Sequence, residues 1–418
     1  MLEFDRDAQP NLQVRPAQPE DSVLGMEPGS VIEAASREDV SAALAWANTS
    51  DHAVVPCGGR SKLDRGNRPA KYDLLLDVSR LNRVIEHAAG DLTVTVEAGV
   101  RLDDLQTLLA GSGQFLAIDP PFGGTIGGLI AVADSGPKRL RYGGVRDLIL
   151  GVTFVRSDGV IAKGGGKVVK NVAGYDMPKL LTGSLGTLGV VVEATFRLHP
   201  IPLASATVIT PCHSVLDITK AAPYALRGTL VPTQFDYFSG SGDEQAVLAV
   251  RFESSPRSVR AQAEMLARQL GAASSVLSEQ AEAQLWQRFG SVSDTFGSDV
   301  LARLISTPSD LPSLILQAQR DAEQHGIGLA ARAHAGHGHA LLKWQSPDTA
   351  SALLLLKNLR ERAAALSASV VVWKASSEVR LSVDVWGDVG EGISLMRRVK
   401  AQFDPNNILN PGRFVGGI

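Results

Sequence analysis

A chain of 418 residues with 44% hydrophobic and 20% charged side chains is long for one core, so two domains of an ordinary globular protein are expected. A formal net charge of −3, with no basic stripe interleaved with aromatics, argues against nucleic acid as a partner. Two cysteines, Cys57 and Cys212, in no CxxC pair, exclude an iron–sulfur centre and a disulfide framework.

The first 30 residues are rich in Pro, Asp and Gln and read as an irregular lead-in. Acidic residues in MLEFDRDAQPNLQ stand where an export signal needs basic ones, and no apolar run approaches the roughly 20 residues of a membrane span. The cytoplasm is therefore the default compartment, with any membrane association made through partners.

Ser36 caps a helix over 37–48, with acidic residues in its first turn and Val40, Ala43, Leu44 and Ala47 at helical spacing. A strand at 53–55 follows and breaks at Pro56. The loop PCGGRSKLDRG then leads to a strand at 74–78. Consecutive amides around Gly58 and Gly59 suit an anion, although a plain glycine turn explains a lone pair of glycines equally well.

Residues 93–96 alternate like a strand, 103–109 read as a short helix, and 115–118 lead into the most unusual stretch of the chain. From Pro120 to Pro200 glycine recurs in clusters, each beside a short apolar run: Gly123, Gly124, Gly127 and Gly128, then Gly164 to Gly166, then Gly183, Gly186 and Gly189. Glycine reaches positive φ at little cost and lets main-chain amides approach a ligand closely. Residues 148–155 and 189–198 read as buried strands, with Ser157-Asp158-Gly159 as a hairpin turn. Strands joined by short turns point to an antiparallel or mixed sheet, against a doubly wound domain.

After Pro202 glycine thins out. Strands at 234–238, 246–252, 329–333, 339–344 and 369–374 alternate with amphipathic helices at 258–270, 309–324 and 350–365, an α+β layer with helices on one face of the sheet. A helix at 391–402 precedes FDPNNILNPGRF, a rigid tail expected to pack back on the first domain. The expected division is 1–202, 203–390 and 391–418.

Familiar nucleotide signatures are missing. No G-x-G-x-x-G occurs, Gly165-Gly166-Lys167 is followed by Val168 in place of Ser or Thr, and G-x-S-x-G is absent. In their order and spacing, however, PCGGRSKLDRG, GGTIGG, SGPKRLRYGGVRD, GGGKVVKNVAGYD, TGSLGTLGVVVEATFRLHP and FDPNNILNPGRF resemble the vanillyl-alcohol-oxidase type of flavoproteins. Within that superfamily they are most similar to the FAD-binding subunits of glycolate oxidase complexes.

The resemblance implies a PCMH-type FAD-binding domain of two subdomains, plus an α+β cap with an antiparallel sheet. It implies a first loop holding the FAD pyrophosphate (Pro56, Gly58, Gly59, Arg60, Ser61, Lys62) and a second along the ribityl chain and flavin (Gly124, Thr125, Gly127, Gly128, with Ser135 and Gly136). A third turn and its strand would complete the site with Gly186, Gly189 and Val191. Members that attach FAD covalently carry a histidine after the first-loop glycines; Arg60 stands there, so noncovalent FAD is expected.

Catalytic relatives carry H-x-G-D-G-N-x-H in the cap and a Glu-His-Gly-Ile-Gly motif before the tail. This chain reads His334-Ala335-Gly336-His337-Gly338-His339-Ala340-Leu341 in place of the first and VDVWGDVGE, without histidine, around the second. A decoy, His325-Gly326-Ile327-Gly328, reads as a helix C-cap. His337 and His339 are read as sharing a strand face with His334 opposite, so no metal is expected; Arg332 or His334 is left as a weak candidate to meet a carboxylate.

No catalytic residue is assigned. Cys57 reads as a buried structural thiol, and Trp344, Trp373 and Trp386 as core. The resemblance implies partnership with a larger flavoprotein subunit and an iron–sulfur subunit, acting on glycolate or D-lactate. A stand-alone dehydrogenase and a flavin-free scaffold are the alternatives.

Overall fold

The computed structural model describes residues 12–168, 174–241, 244–290 and 300–418. The chain divides into two compact units. One is built from the segments up to Asp134, Gly144–Ile201 and Asp388–Ile418; the other comprises Ser135–Gly143 and Pro202–Gly387. Residues 169–173, within GGGKVVKNVAGYD, lie outside the described residues.

The first unit holds two sheets. The four-stranded one runs Gln13–Arg15, Ser30–Glu33, Leu74–Asp77, Val54–Cys57 across the sheet, the last three parallel. The helix Arg37–Thr49 connects two of them; its Ser36 cap receives the Asp39 amide at 3.1 Å, while Asp39 Oδ2 accepts the Ser36 amide. Ile32, Val40, Leu44, Val54 and Leu76 form its core.

Two expectations fail in this sheet. The lead-in is not irregular from residue 13 onward, since Gln13–Arg15 pairs antiparallel with Ser30–Glu33. Nor does the strand at 54 break at Pro56: Pro56 pairs with Leu76, and the strand ends at Cys57. An edge strand has one side free of ladder partners, so a residue without an N–H is tolerated there.

The second sheet is antiparallel, in the order Val84–Ala88, Thr93–Glu97, Val190–Arg197, Ile149–Val155, Ile161–Gly165. Gly159, at φ +83, makes the expected hairpin turn. The tail joins this unit through main-chain bonds: the Val54 amide donates to Ile408 O at 2.7 Å and the Asn410 amide to Val54 O at 2.9 Å.

The second unit is an eight-stranded antiparallel sheet, Ser275–Leu277, Ala204–Pro211, Val247–Ser254, Gln234–Ser239, Gly328–His334, His339–Gln345, Val300–Ile305, Ser369–Lys374 in spatial order. Alternation decides its two faces. Phe235, Tyr237, Ala331 and Ala333 join a core with the helices Pro256–Leu270, Leu311–Gln324 and Thr349–Ala365, whereas Phe238 packs with Phe289 of Glu279–Gly290 in a separate cluster. Gly326 follows the end of Leu311–Gln324 at φ +64, as the C-cap reading requires. No helix among the described residues is long and apolar enough to cross a membrane.

Candidate cofactor cleft

Three Gly-rich segments of the first unit meet at one cleft, which encloses about 790 Å³ of space, open solvent at its mouth included. Pro56 and Gly58 to Lys62 form one side. Thr125, Gly127 and Gly128 form the second, and Gly186, Gly189 and Val191 the third. Apolar groups complete the lining, among them Val78, Val132, Leu181 and Leu185.

The first loop carries the most informative geometry. The amides of Gly58, Gly59, Arg60, Ser61 and Lys62 find no protein acceptor among the described residues, although all five residues line the cleft. Gly59 and Ser61 are exposed, so water can serve their amides, but five consecutive unpaired main-chain donors in residues that line one cleft wall fit an anionic group such as a diphosphate.

The Lys62 side chain points elsewhere. Its ammonium donates to Phe122 O at 3.0 Å, bonds Gly123 O, and lies 3.7 Å from the buried Asp134 carboxylate. Burial lowers its pKa, with Asp134 opposing. Lys62 therefore ties the first loop to the second.

The end of the GGTIGG segment opens a helix, Ile126–Val132, where the resemblance implied only a loop. Thr125 before an apolar Ile126, Leu129, Ile130 spacing is the signal that could have found it. Gly127 is required there because a Cβ would stand 2.9 Å from the Cβ of Ala98.

Three sequence-assigned residues do not line the cleft. Gly124 lies against the first loop, where a Cβ would meet Ser61 Oγ at 2.5 Å, and Ser135 and Gly136 belong to the second unit. Sequence reading missed Asn410 and Arg413, which the tail brings into the lining. Asn410 Nδ2 donates to Leu185 O at 2.6 Å, and its Oδ1 accepts from Arg413 Nη1 at 3.1 Å. Their signal was the Asn- and Pro-rich rigidity of FDPNNILNPGRF.

Cys57 lines the cleft floor as a buried thiol, its pKa pushed well above the ordinary value by burial and by Asp77. It is unsuited to nucleophilic work. Trp344 is core, and the Arg303 guanidinium lies 5.2 Å from the Trp373 ring centroid, both in the second unit.

The cap motif differs from the sequence expectation. His334 ends one strand and His339 begins the next, and the two are cross-strand partners on one face of a hairpin, with His337 in the turn packing between them. Ring centroids are 5.2 Å apart for His334 and His337, and 4.8 Å for His337 and His339. Counting positions along one strand put His334 on the wrong side, because the turn at Gly338 reverses the chain.

Arg332 and His334 are committed to a fully buried carboxylate. Asp236 accepts from Arg332 Nε at 3.1 Å and contacts His334 Nδ1 at 3.0 Å. Burial opposes the Asp236 charge, yet His334 and Arg332 hold its pKa below the usual carboxylate range. The Arg303 guanidinium donates to His339 Nδ1 at 2.8 Å. Both nitrogens of His337 are buried without a hydrogen-bond partner among the described residues. No cluster of His, Cys, Asp or Glu among the described residues has metal-binding geometry.

Burial, with His334 and the Arg139 and Arg303 guanidinia adding to it against Asp236, pulls His337 down to about 3; burial and Arg303 pull His339 well below the histidine range. Both are neutral in the folded protein near pH 6, while an unfolded chain takes up protons there. The stability they confer is complete above the unfolded histidine pKa of about 6.5 and is lost as pH falls from there toward about 3. At pH 5 His337 alone is expected to cost the second unit about 2 kcal/mol. Urea unfolding between pH 7.5 and 5 checks this, and His337→Gln should flatten the dependence.

Comparison with known proteins agrees with the cleft. Residues 28–165 match the family described as FAD binding domain, and residues 388–414 match FAD linked oxidases, C-terminal domain. A D-2-hydroxyglutarate dehydrogenase of Xanthomonas citri pv. viticola is 29% identical, over 92% of this chain and 88% of its own. A D-lactate dehydrogenase of Archaeoglobus fulgidus is 29% identical over 92% and 91%, and the glycolate oxidase subunit GlcD of Bacillus subtilis 26% over 92% and 88%. Among solved structures, p-cresol methylhydroxylase superposes with a TM-score of 0.74 at 14% identity, over 94% of this chain and 91% of that one. With its Gly-rich cleft, its unsatisfied amides and its matched terminal segment, the chain carries an FAD binding domain and the C-terminal domain of FAD linked oxidases, on the fold it shares with p-cresol methylhydroxylase.

Proposed function

We propose that this chain is the FAD-binding subunit of a glycolate oxidase complex, which oxidises glycolate or D-lactate to the 2-oxo acid. Bound FAD supplies the acceptor for two electrons from the hydroxy-acid carbon. In this reading the first-loop amides hold its diphosphate noncovalently, and the apolar cleft wall excludes water from the ring. Relatives named as a D-2-hydroxyglutarate dehydrogenase, a D-lactate dehydrogenase and a glycolate oxidase subunit support the substrate class.

The observation that carries the subunit assignment is in the cap. Arg332 and His334, the groups placed to meet a carboxylate, are neutralised by Asp236, and no histidine follows His339 in the chain to serve as a base. That supports a subunit whose FAD relays electrons or stabilises the assembly, beside a larger flavoprotein subunit that oxidises substrate and an iron–sulfur subunit that receives the electrons.

A stand-alone hydroxy-acid dehydrogenase is the second reading, favoured by the two unpartnered nitrogens of His337. The visible spectrum of the purified chain, recorded before and after anaerobic addition of glycolate and D-lactate, separates the two. A flavin spectrum that stays oxidised is expected, with reduction restored when the partner subunits are co-purified. Prompt bleaching of the isolated chain would overturn the subunit reading in favour of the second.

A further inference from the structure

Arg60 occupies the position next to Gly58 and Gly59 in the first loop, and its backbone is left-handed, at φ +57. A long side chain does not adopt that conformation without compensation. Compensation is visible beneath the loop. Arg60 Nη2 bonds Asp21 Oδ1 at 2.8 Å and Asp77 Oδ2 at 2.9 Å. Asp21 is fully buried and is held in turn by Arg15, at 2.6 and 3.1 Å, and by the Gln18 amide at 2.9 Å. Asp77 ends the central strand Leu74–Asp77 and accepts the Ser79 amide at 2.8 Å. The guanidinium is thus fixed between two anchored carboxylates, while the Arg60 amide belongs to the unsatisfied run that lines the cleft.

We propose that Arg60 is a positioning residue for the cofactor: Asp21 and Asp77 hold its guanidinium, and that grip keeps the loop backbone left-handed and the amides from Gly58 to Lys62 disposed to receive a diphosphate. Its side chain does not meet the phosphates. The lead-in strand and turn, at 13–21, thereby take part in cofactor binding through Asp21, a role that no feature of the loop sequence announces. This rests on the reading that FAD lies in the cleft.

Electrostatics alone makes the opposite prediction, which gives the proposal a sharp test. If Arg60 acted as a cation toward the phosphates, Asp21→Asn or Asp77→Asn would remove a competing negative charge, free the guanidinium and tighten binding. If the carboxylates hold the loop, either substitution weakens binding.

The experiment titrates FAD into the FAD-depleted full chain and follows flavin fluorescence, with ADP as a competing diphosphate probe. Asp21→Asn and Asp77→Asn are each expected to raise the Kd for FAD about tenfold or more, and the Ki for ADP in parallel. The absorption spectrum of the flavin that does bind should match wild type if the loop acts on the diphosphate only. Arg60→Ala should bind more weakly than Arg60→Gly, since glycine reaches φ +57 without strain. Arg60→Lys, which keeps a cation between the carboxylates, should recover part of the loss.

Equal or tighter FAD binding by Asp77→Asn overturns the proposal, and so does an Arg60→Gly variant that binds as well as wild type. If Asp21→Asn does not fold, those two decide. Failure of the wild-type chain to bind FAD at all would overturn the underlying reading instead.

Discussion

Gly58→Val is expected to yield a colourless protein. A Cβ at Gly58 would stand 2.5 Å from Oγ1 of Thr125 and 3.3 Å from its Cβ, so the two walls of the cleft cannot keep their separation around a branched side chain. Thr125 cannot retreat freely, because it is buried and opens the helix Ile126–Val132, whose Gly127 already lies against Ala98. The first loop must move instead, and with it the unsatisfied amides of Gly58 to Lys62. Losing several main-chain contacts to a diphosphate, at about 1.5 kcal/mol or more each, raises the Kd for FAD by about a hundredfold or more. Equilibrium dialysis against FAD measures it. A variant that folds with normal flavin content would show that the first loop is not the diphosphate site.

Lys400→Met carries the second large effect, on stability. Lys400, on the helix Ile393–Phe403, is buried, and its ammonium bonds the Asp404 carboxylate, Thr187 O at 3.0 Å and Leu409 O at 2.8 Å. Burial lowers its pKa while Asp404 opposes that shift, so the charge persists only because of its partners. Methionine keeps the length of the side chain but leaves Asp404, 1% exposed, without its counter-ion and two carbonyls without a donor. Removing one member of such a pair costs about 3–5 kcal/mol.

Asp404 also accepts the Ile408 and Leu409 amides, and Asn410 and Arg413 line the cleft, so FAD affinity should fall together with the unfolding midpoint. In the double variant with Asp404→Asn part of the stability should return, because no buried charge is then left alone. A midpoint unchanged in Lys400→Met would mean that the tail's other bonds, to Val54, Asn67, Ala70 and Leu185 among them, hold it without the Lys400 ammonium.

The functional elements were readable where local chemistry dominates. Ser36 and the acidic first turn announced a capped helix, the apolar run in 189–198 announced a buried strand, and the clustered glycines announced where backbone must approach a ligand. Twelve of the fifteen residues that the resemblance implied for the cofactor line the cleft. Reading failed where two distant segments decide a conformation together. Pro56 stays in a strand because it lies at a sheet edge, and the end of GGTIGG enters a helix despite the poor helix propensity of glycine, with Gly127 close against Ala98.

By itself, then, the sequence determined the glycine loops and the cap histidine motif, because each is written in consecutive residues, whereas each of the two units joins segments far apart in the chain. Only the tertiary structure decided what the charges do. Asp21 reaches Arg60 across 39 positions, Asp236 reaches His334 across 98, and the Lys400 ammonium reaches Thr187 across 213. Such contacts join buried charges that must find partners wherever the fold places them, and the linear order of residues carries no record of that placement.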